Sequence, residues 1–230
     1  MGTERSNPPR PRLVQWALVA SILLLASCSR TGAVSGDVYV TMASGDVKRG
    51  ADVPITLVAR TPAFETAWTM AQDRFRDEVI RARVGVAAAA ERQSQTFKRN
   101  VAAITAIGSA RSNVDQALRL SEEASARDSE ARLKLRTAQD ELRRTVEQQQ
   151  LAAIKVIQQH QIATFRTDVN GHYNKVEVPP GRYYVFSAHK IFNNELVWFQ
   201  PIDVNRAEAT KLDLTGSNVG WPFDPSRFEK

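Results

Sequence analysis

The chain of 230 residues holds one cysteine, Cys28, so no internal disulfide can form and a fold stapled by crosslinks is excluded. Only three histidines occur, His160, His172 and His189, and no His-Glu-x-x-His or His-x-x-Glu pair joins them. Scattered histidines give no metal-ligand spacing, so neither a metal nor another cofactor is expected. No Gly-x-Ser-x-Gly elbow marks a nucleophile, and no glycine-rich loop offers backbone amides to a phosphate. The sequence therefore carries no positive sign of an enzyme. Nor is there an apolar run of the about 18 residues that a membrane-spanning helix needs. Charge of one sign is barely in excess, with 31 basic against 25 acidic side chains. That is too mild for a nucleic-acid footprint, and no nucleic-acid partner is expected.

What is there begins with Arg5, Arg10 and Arg12, followed by the uncharged residues 13–26. As a helix this run would extend only about 21 Å against a hydrocarbon core of about 30 Å, so it reads as the core of a removable signal peptide over residues 1–27. It ends in Leu25-Ala26-Ser27-Cys28, which resembles the lipobox of bacterial lipoproteins: an aliphatic residue, two small ones, then the cysteine that is acylated. The resemblance implies that Cys28 becomes the amino terminus and carries two or three acyl chains, enough for stable membrane anchoring. Ser29 in place of an aspartate after the cysteine implies delivery to the outer membrane, facing the periplasm. Cleavage would remove three arginines and one glutamate, leaving 28 basic and 24 acidic residues of the 31 and 25.

After a tether over residues 28–35, two strands are expected at 37–42 and 53–58, the second with Val53, Ile55 and Leu57 alternating toward one face. The character then changes at Thr61-Pro62, a helix start with Thr61 as cap and Pro62 at the first position. From there to 163 no further proline occurs, and the only glycines are Gly85 and Gly108. Apolar residues recur three and four apart: Phe64, Trp68, Ala71, Phe75, Val79, Ala82, Val86, Ala89, Phe97, Val101 and Ile104. The series resumes with Val114, Leu118, Ala131, Leu135, Ala138, Leu142, Ala153 and Val156, so each half carries a seam that needs a partner helix. The weakest helical stretch, Gly108-Ser109-Ala110-Arg111-Ser112-Asn113, lies at the midpoint of the segment, with Ser112 able to cap a second helix. An antiparallel hairpin with arms of about 70 Å follows. A break at 121–125 would instead give three helices; the midpoint favours the hairpin. Its tip residues Gly108, Ser109, Arg111, Ser112 and Asn113 are then candidate partner contacts.

Strand signals resume at 164–168, 173–178, 183–190, 196–204 and 209–214, separated by Asn170-Gly171, by Pro179-Pro180-Gly181-Arg182 with Gly181 expected at positive φ, and by Asn193-Asn194. The tail over 217–230 is too proline-rich for regular structure, and its aromatics either pack back or form a contact surface.

The stretches Phe165-Arg166-Thr167-Asp168-Val169-Asn170-Gly171-His172-Tyr173 and Val178-Pro179-Pro180-Gly181-Arg182-Tyr183-Tyr184-Val185 resemble the carboxypeptidase regulatory-like, transthyretin-like domains. Gly36-Asp37-Val38-Tyr39-Val40 and Ala51-Asp52-Val53-Pro54-Ile55-Thr56-Leu57 are similar to that family's opening strands. The resemblance covers about 90 residues in two pieces and implies turns and a sandwich rather than a chemistry. The fold expected is α+β: a seven-stranded antiparallel transthyretin-like sandwich from 36–60 plus 164–216, with a helical hairpin over 61–163 inserted after the second strand. Three functions fit this layout. One is a membrane-anchored scaffold that meets an envelope protein through its helical arm. A second is an adaptor subunit of an envelope or export complex. The third is a glycan- or peptidoglycan-binding accessory module, for which Tyr39, Tyr183, Tyr184 and Trp198 are the candidate stacking aromatics.

Overall fold

The computed structural model describes residues 31–41, 44–109, 114–191 and 194–228. Its first element, β1 (Gly32–Thr41), buries Gly32, Val34, Gly36 and Val38 in alternation with half-buried neighbours. The strand starts well before residue 37, so residues 32–35 of the expected tether belong to a sheet. The glycines that read as loop are there because another part of the chain crosses at close range. A Cβ on Gly36 would stand 1.9 Å from the Leu212 carbonyl oxygen, and one on Gly32 would stand 2.4 Å from that of Asn205.

A turn with Gly45 at φ 87° leads to β2 (Val47–Arg49), three exposed residues with no apolar alternation to announce them. β3 (Pro54–Ala59) then buries Ile55 and Leu57 on one face and Val58 on the other. The helical insert therefore follows the third strand rather than the second. It consists of α1 (Pro62–Ser109) and α2 (Val114–His160), 48 and 47 residues long, or about 70 Å each at 1.5 Å per residue. α2 runs unbroken through 121–125, so the three-helix alternative does not occur.

The insert ends at 160, three residues early, because Gln161 and Ala163 already pair with Val58 and Leu57. The remaining strands are β4 (Gln161–Arg166), β5 (His172–Val178), β6 (Gly181–Ile191), β7 (Asn194–Val204), β8 (Ala209–Lys211) and β9 (Leu214–Thr215). The β4–β5 reversal takes Gly171 at φ 79°, with the Asp168 carboxylate accepting from the Asn170 and His172 amides. The next reversal departs from expectation: Gly181 is not at positive φ and already begins β6, whereas Glu177, at φ 61°, lies inside β5 where its pairing with β1 shifts register.

Among the described residues, nine strands thus replace the expected seven, in two sheets. One has β1 between β2 and β5, with β8 and β9 also on β1; the other runs β4-β3-β6-β7. The seventh strand expected at 209–214 splits into β8 and β9, and both lie parallel to β1, so the first sheet is mixed. The split has a cause. Between the two pieces the Leu212 amide bonds the Ser35 carbonyl and Asp213 accepts from the Asp37 amide, carrying the chain over the missing side chain of Gly36.

Two apolar clusters result. Val34, Val38, Ile55, Leu57, Tyr173, Val185, Trp198 and Leu214 fill the space between the sheets. The other face of the β3–β6–β7 sheet meets the helices through Val58, Phe199, Phe64, Trp68, Phe75, Val79, Ala153 and Ile157. That sheet is buried on both sides, and the helical pair is joined to it by a second core rather than by a flexible link.

Candidate functional site

The arm begins where Thr61 caps α1, its hydroxyl accepting from the Phe64 amide at 3.2 Å. Just before it, Arg60 pairs with Glu65 and lies over the Tyr184 ring, 5.2 Å from its centroid. The hydrogen bond that Arg60 donates to the Glu65 carboxylate is the main cause that holds the guanidinium's pKa above its ordinary value. Beyond the cap, α1 presents Phe64 and Trp68 to the sheet. Trp68 stacks on Phe199 at 4.5 Å, and Phe199 stacks on Tyr184 at 4.4 Å.

The end of the chain closes this junction from the side. Phe223 is fully buried, edge-on to Trp68 at 5.0 Å and to Phe75 at 5.2 Å. Arg83 on α1 donates to the carbonyls of Phe228 at 2.8 Å and Pro225 at 3.0 Å, and Gln150 on α2 donates to that of Phe223 at 3.1 Å. Of the two expectations for the tail, packing back is the one found, and it straps both helices at their base. Beside the strap lies a cleft of about 360 Å³ between α2, the outer face of β6 and β7, and the tail. Phe186 and Trp221 wall it, their rings 5.7 Å apart and inclined at 44°.

Farther out, the antiparallel helices are joined by polar contacts. Gln149 donates to Glu78 across the pair, and Asn100 donates to the Ala124 carbonyl at 2.8 Å, with both Asn100 and Ala124 buried. At that level the apolar seam has rotated off the interface. Phe97, Val101 and Ile104, spaced four and three, are 53%, 46% and 53% exposed, and Leu118 on α2 is 59% exposed. These four were expected in the seam; Asn100 takes their place facing α2. The physical reason is the mismatch between the 3.6 residues of a helical turn and a seven-residue repeat, which turns a stripe about 20° per heptad unless the helices supercoil to follow it. Along α2, Arg127–Glu123, Arg132–Asp128, Lys134–Glu130 and Arg143–Asp140 pair at helical spacing, all but Asp128 with side chains largely in solvent.

The residues expected to carry function are distributed differently. Cys28 and the lipobox residues Leu25, Ala26 and Ser27 lie outside the described residues, as do Arg111, Ser112 and Asn113 of the expected tip. Gly108 and Ser109 are the last two residues of α1. Of the four candidate stacking aromatics, Trp198 is fully buried and donates to the Thr215 carbonyl, and Tyr183 is buried and donates to that of Pro179. Tyr184 belongs to the aromatic stack, and Tyr39 is half-buried on the other sheet. They form no common surface. Of the aromatics that do line an opening, Trp221 belongs to the tail whose aromatics were a candidate contact surface, whereas Phe186 was not singled out. His160 meets Phe64 edge-on at 5.6 Å, whereas His172 faces Asp37 at 3.4 Å. Among the described residues, no group of three or more His, Cys, Asp or Glu could hold a metal ion, and no helix is long and apolar enough to cross a membrane.

Neither a family model nor a curated protein matches the sequence. Among solved structures, the chain is similar to a candidate carbohydrate-binding protein from Pseudomonas aeruginosa, at 13% identity and a TM-score of 0.33 over 83% of this chain and 93% of that one. It is also similar to the pilus backbone protein of Streptococcus pneumoniae, at 12% identity and a TM-score of 0.25 over 80% of this chain and 40% of that one.

Proposed function

We propose that this protein is a non-catalytic binding module of the bacterial cell envelope, held by lipid on Cys28 at the outer membrane and facing the periplasm. Its transthyretin-like β-domain serves as the base, and the helical arm presents a surface to an envelope protein. The observation that carries this reading is the stripe Phe97, Val101 and Ile104, exposed on an arm whose base is packed in a second core. Apolar side chains in water at helical spacing on a firmly based rod fit a surface that another protein covers.

The test is photo-crosslinking in the native host with a benzoyl-phenylalanine at position 101. Capture of one envelope protein, abolished by Phe97→Glu, supports the reading. Capture that survives Phe97→Glu, or no capture, defeats it. Purification of the captured protein with this one as a stable assembly of several components favours the adaptor form. The anchor is tested separately: Cys28→Ala is expected to abolish palmitate labelling and move the protein from the membrane to the soluble fraction.

A further inference from the structure

The cleft beside the tail has three properties that the packing of the tail does not require. First, its aromatic wall is open. Trp68 and Trp198 are buried, whereas Trp221 keeps part of its surface in solvent at the cleft. Second, polar groups at the cleft have capacity to spare. Among the described residues, Arg227 has no side-chain partner, Gln150 uses its amide nitrogen on Phe223 and leaves its oxygen free, and Asp224 spends one carboxylate oxygen on the Ser226 amide. Third, the lining is unfilled at Gly220: a Cβ built there would meet nothing within 4 Å, although its amide is fixed to the Val197 carbonyl at 2.9 Å. At about 360 Å³ the space falls within the range of small-ligand sites, about 300 to 1,000 Å³.

A ligand matching this lining needs a flat C–H face for the indole, a polar edge that donates and accepts, and additional apolar surface for Ile154, Val197 and Val219. A pyranose supplies the first two, and an acetamido methyl supplies the third. We propose that the cleft between α2, the β6–β7 face and the tail binds an N-acetylated hexosamine unit of a glycan, with the ring on Trp221 and its polar edge on Gln150, Asp224 and Arg227. This goes beyond the arm reading and is independent of it, because the cleft lies at the base and the apolar stripe farther out.

The probe is the β-1,4-linked tetramer of N-acetylglucosamine, titrated by calorimetry into the detergent-solubilised full chain, with cellotetraose as the sugar that lacks the acetamido groups. Trp221 also packs against Phe223 and Trp68, so Trp221→Ala risks the fold. Gly220→Leu is the cleaner variant, since it fills open space, and Arg227→Ala removes only a surface side chain. Both are to melt as wild type does. Binding of the tetramer is expected to weaken about tenfold or more in Gly220→Leu and for cellotetraose, a factor worth about 1.4 kcal/mol, and to be unchanged in Phe97→Glu. Absence of tetramer binding, or binding untouched by Gly220→Leu, overturns the site. Equal binding of cellotetraose overturns the assignment to an N-acetylated sugar.

Discussion

At Gly36 the packing of a whole sheet depends on one missing side chain. The segment linking β8 to β9 passes over it, and Gly36→Ala would push a methyl group into the Leu212 carbonyl. A forced shift in a packed interior typically costs about 1–3 kcal/mol, so the urea midpoint should fall correspondingly; an unchanged midpoint would show that the crossing is not tight. Tyr173 locks the same crossing from below, its hydroxyl donating to the Leu212 carbonyl. Burial raises its pKa far above the ordinary tyrosine value of about 10, with Asp213 and Asp37 adding to the shift. The native state thus keeps its proton at a pH where the unfolded chain has lost it. Stability contributed by this group is complete below about pH 10 and declines as the pH rises further. Melting temperatures followed by circular dichroism should drop above pH 10, and Tyr173→Phe should flatten that drop while lowering the melting temperature at pH 7.

At the scale of elements, the tail acts as a strap. Phe223 fills the junction between α1 and the sheet, so Phe223→Ala should cost about 3–5 kcal/mol and raise amide exchange selectively in residues 64–79 and 146–157. Uniform exchange changes would mean that the arm and the sheets unfold as one unit. The long helices and most strands were legible because they rest on local signals: a cap and proline at Thr61-Pro62, a proline-free stretch of helix formers, and alternation in Ile55 and Leu57. The strands that escaped notice lack such signals. β2 is Val-Lys-Arg with every residue exposed, and the early part of β1 hides behind glycines whose purpose is a contact from residues 205–212. The helical seam was legible near the base, where Phe64, Trp68, Phe75 and Val79 are buried, and misleading farther out, where Asn100 faces α2. The cleft was hidden for a different reason. Gln150, Phe186, Gly220 and Arg227 are brought together only by the return of the tail, and sequence spacing holds no trace of that meeting.

For the molecule as a whole, arms of about 70 Å on a base packed by two cores make a long, stiff particle. Small-angle scattering of the Cys28→Ala chain should give a maximum dimension of more than about 80 Å with little change between 10 and 40 °C; a compact particle would contradict the extended arm. The insert leaves β3 and returns into β4, and these strands are already neighbours, with Val58 opposite Gln161. A pull at the far end of the arm is therefore delivered to the adjoining ends of two paired strands in the same sense. The load would slide both strands together against β6 instead of peeling one from the other, so tension along the arm would be met as shear across the β3–β6 ladder, as a handle passes its load to the wall it is fixed in.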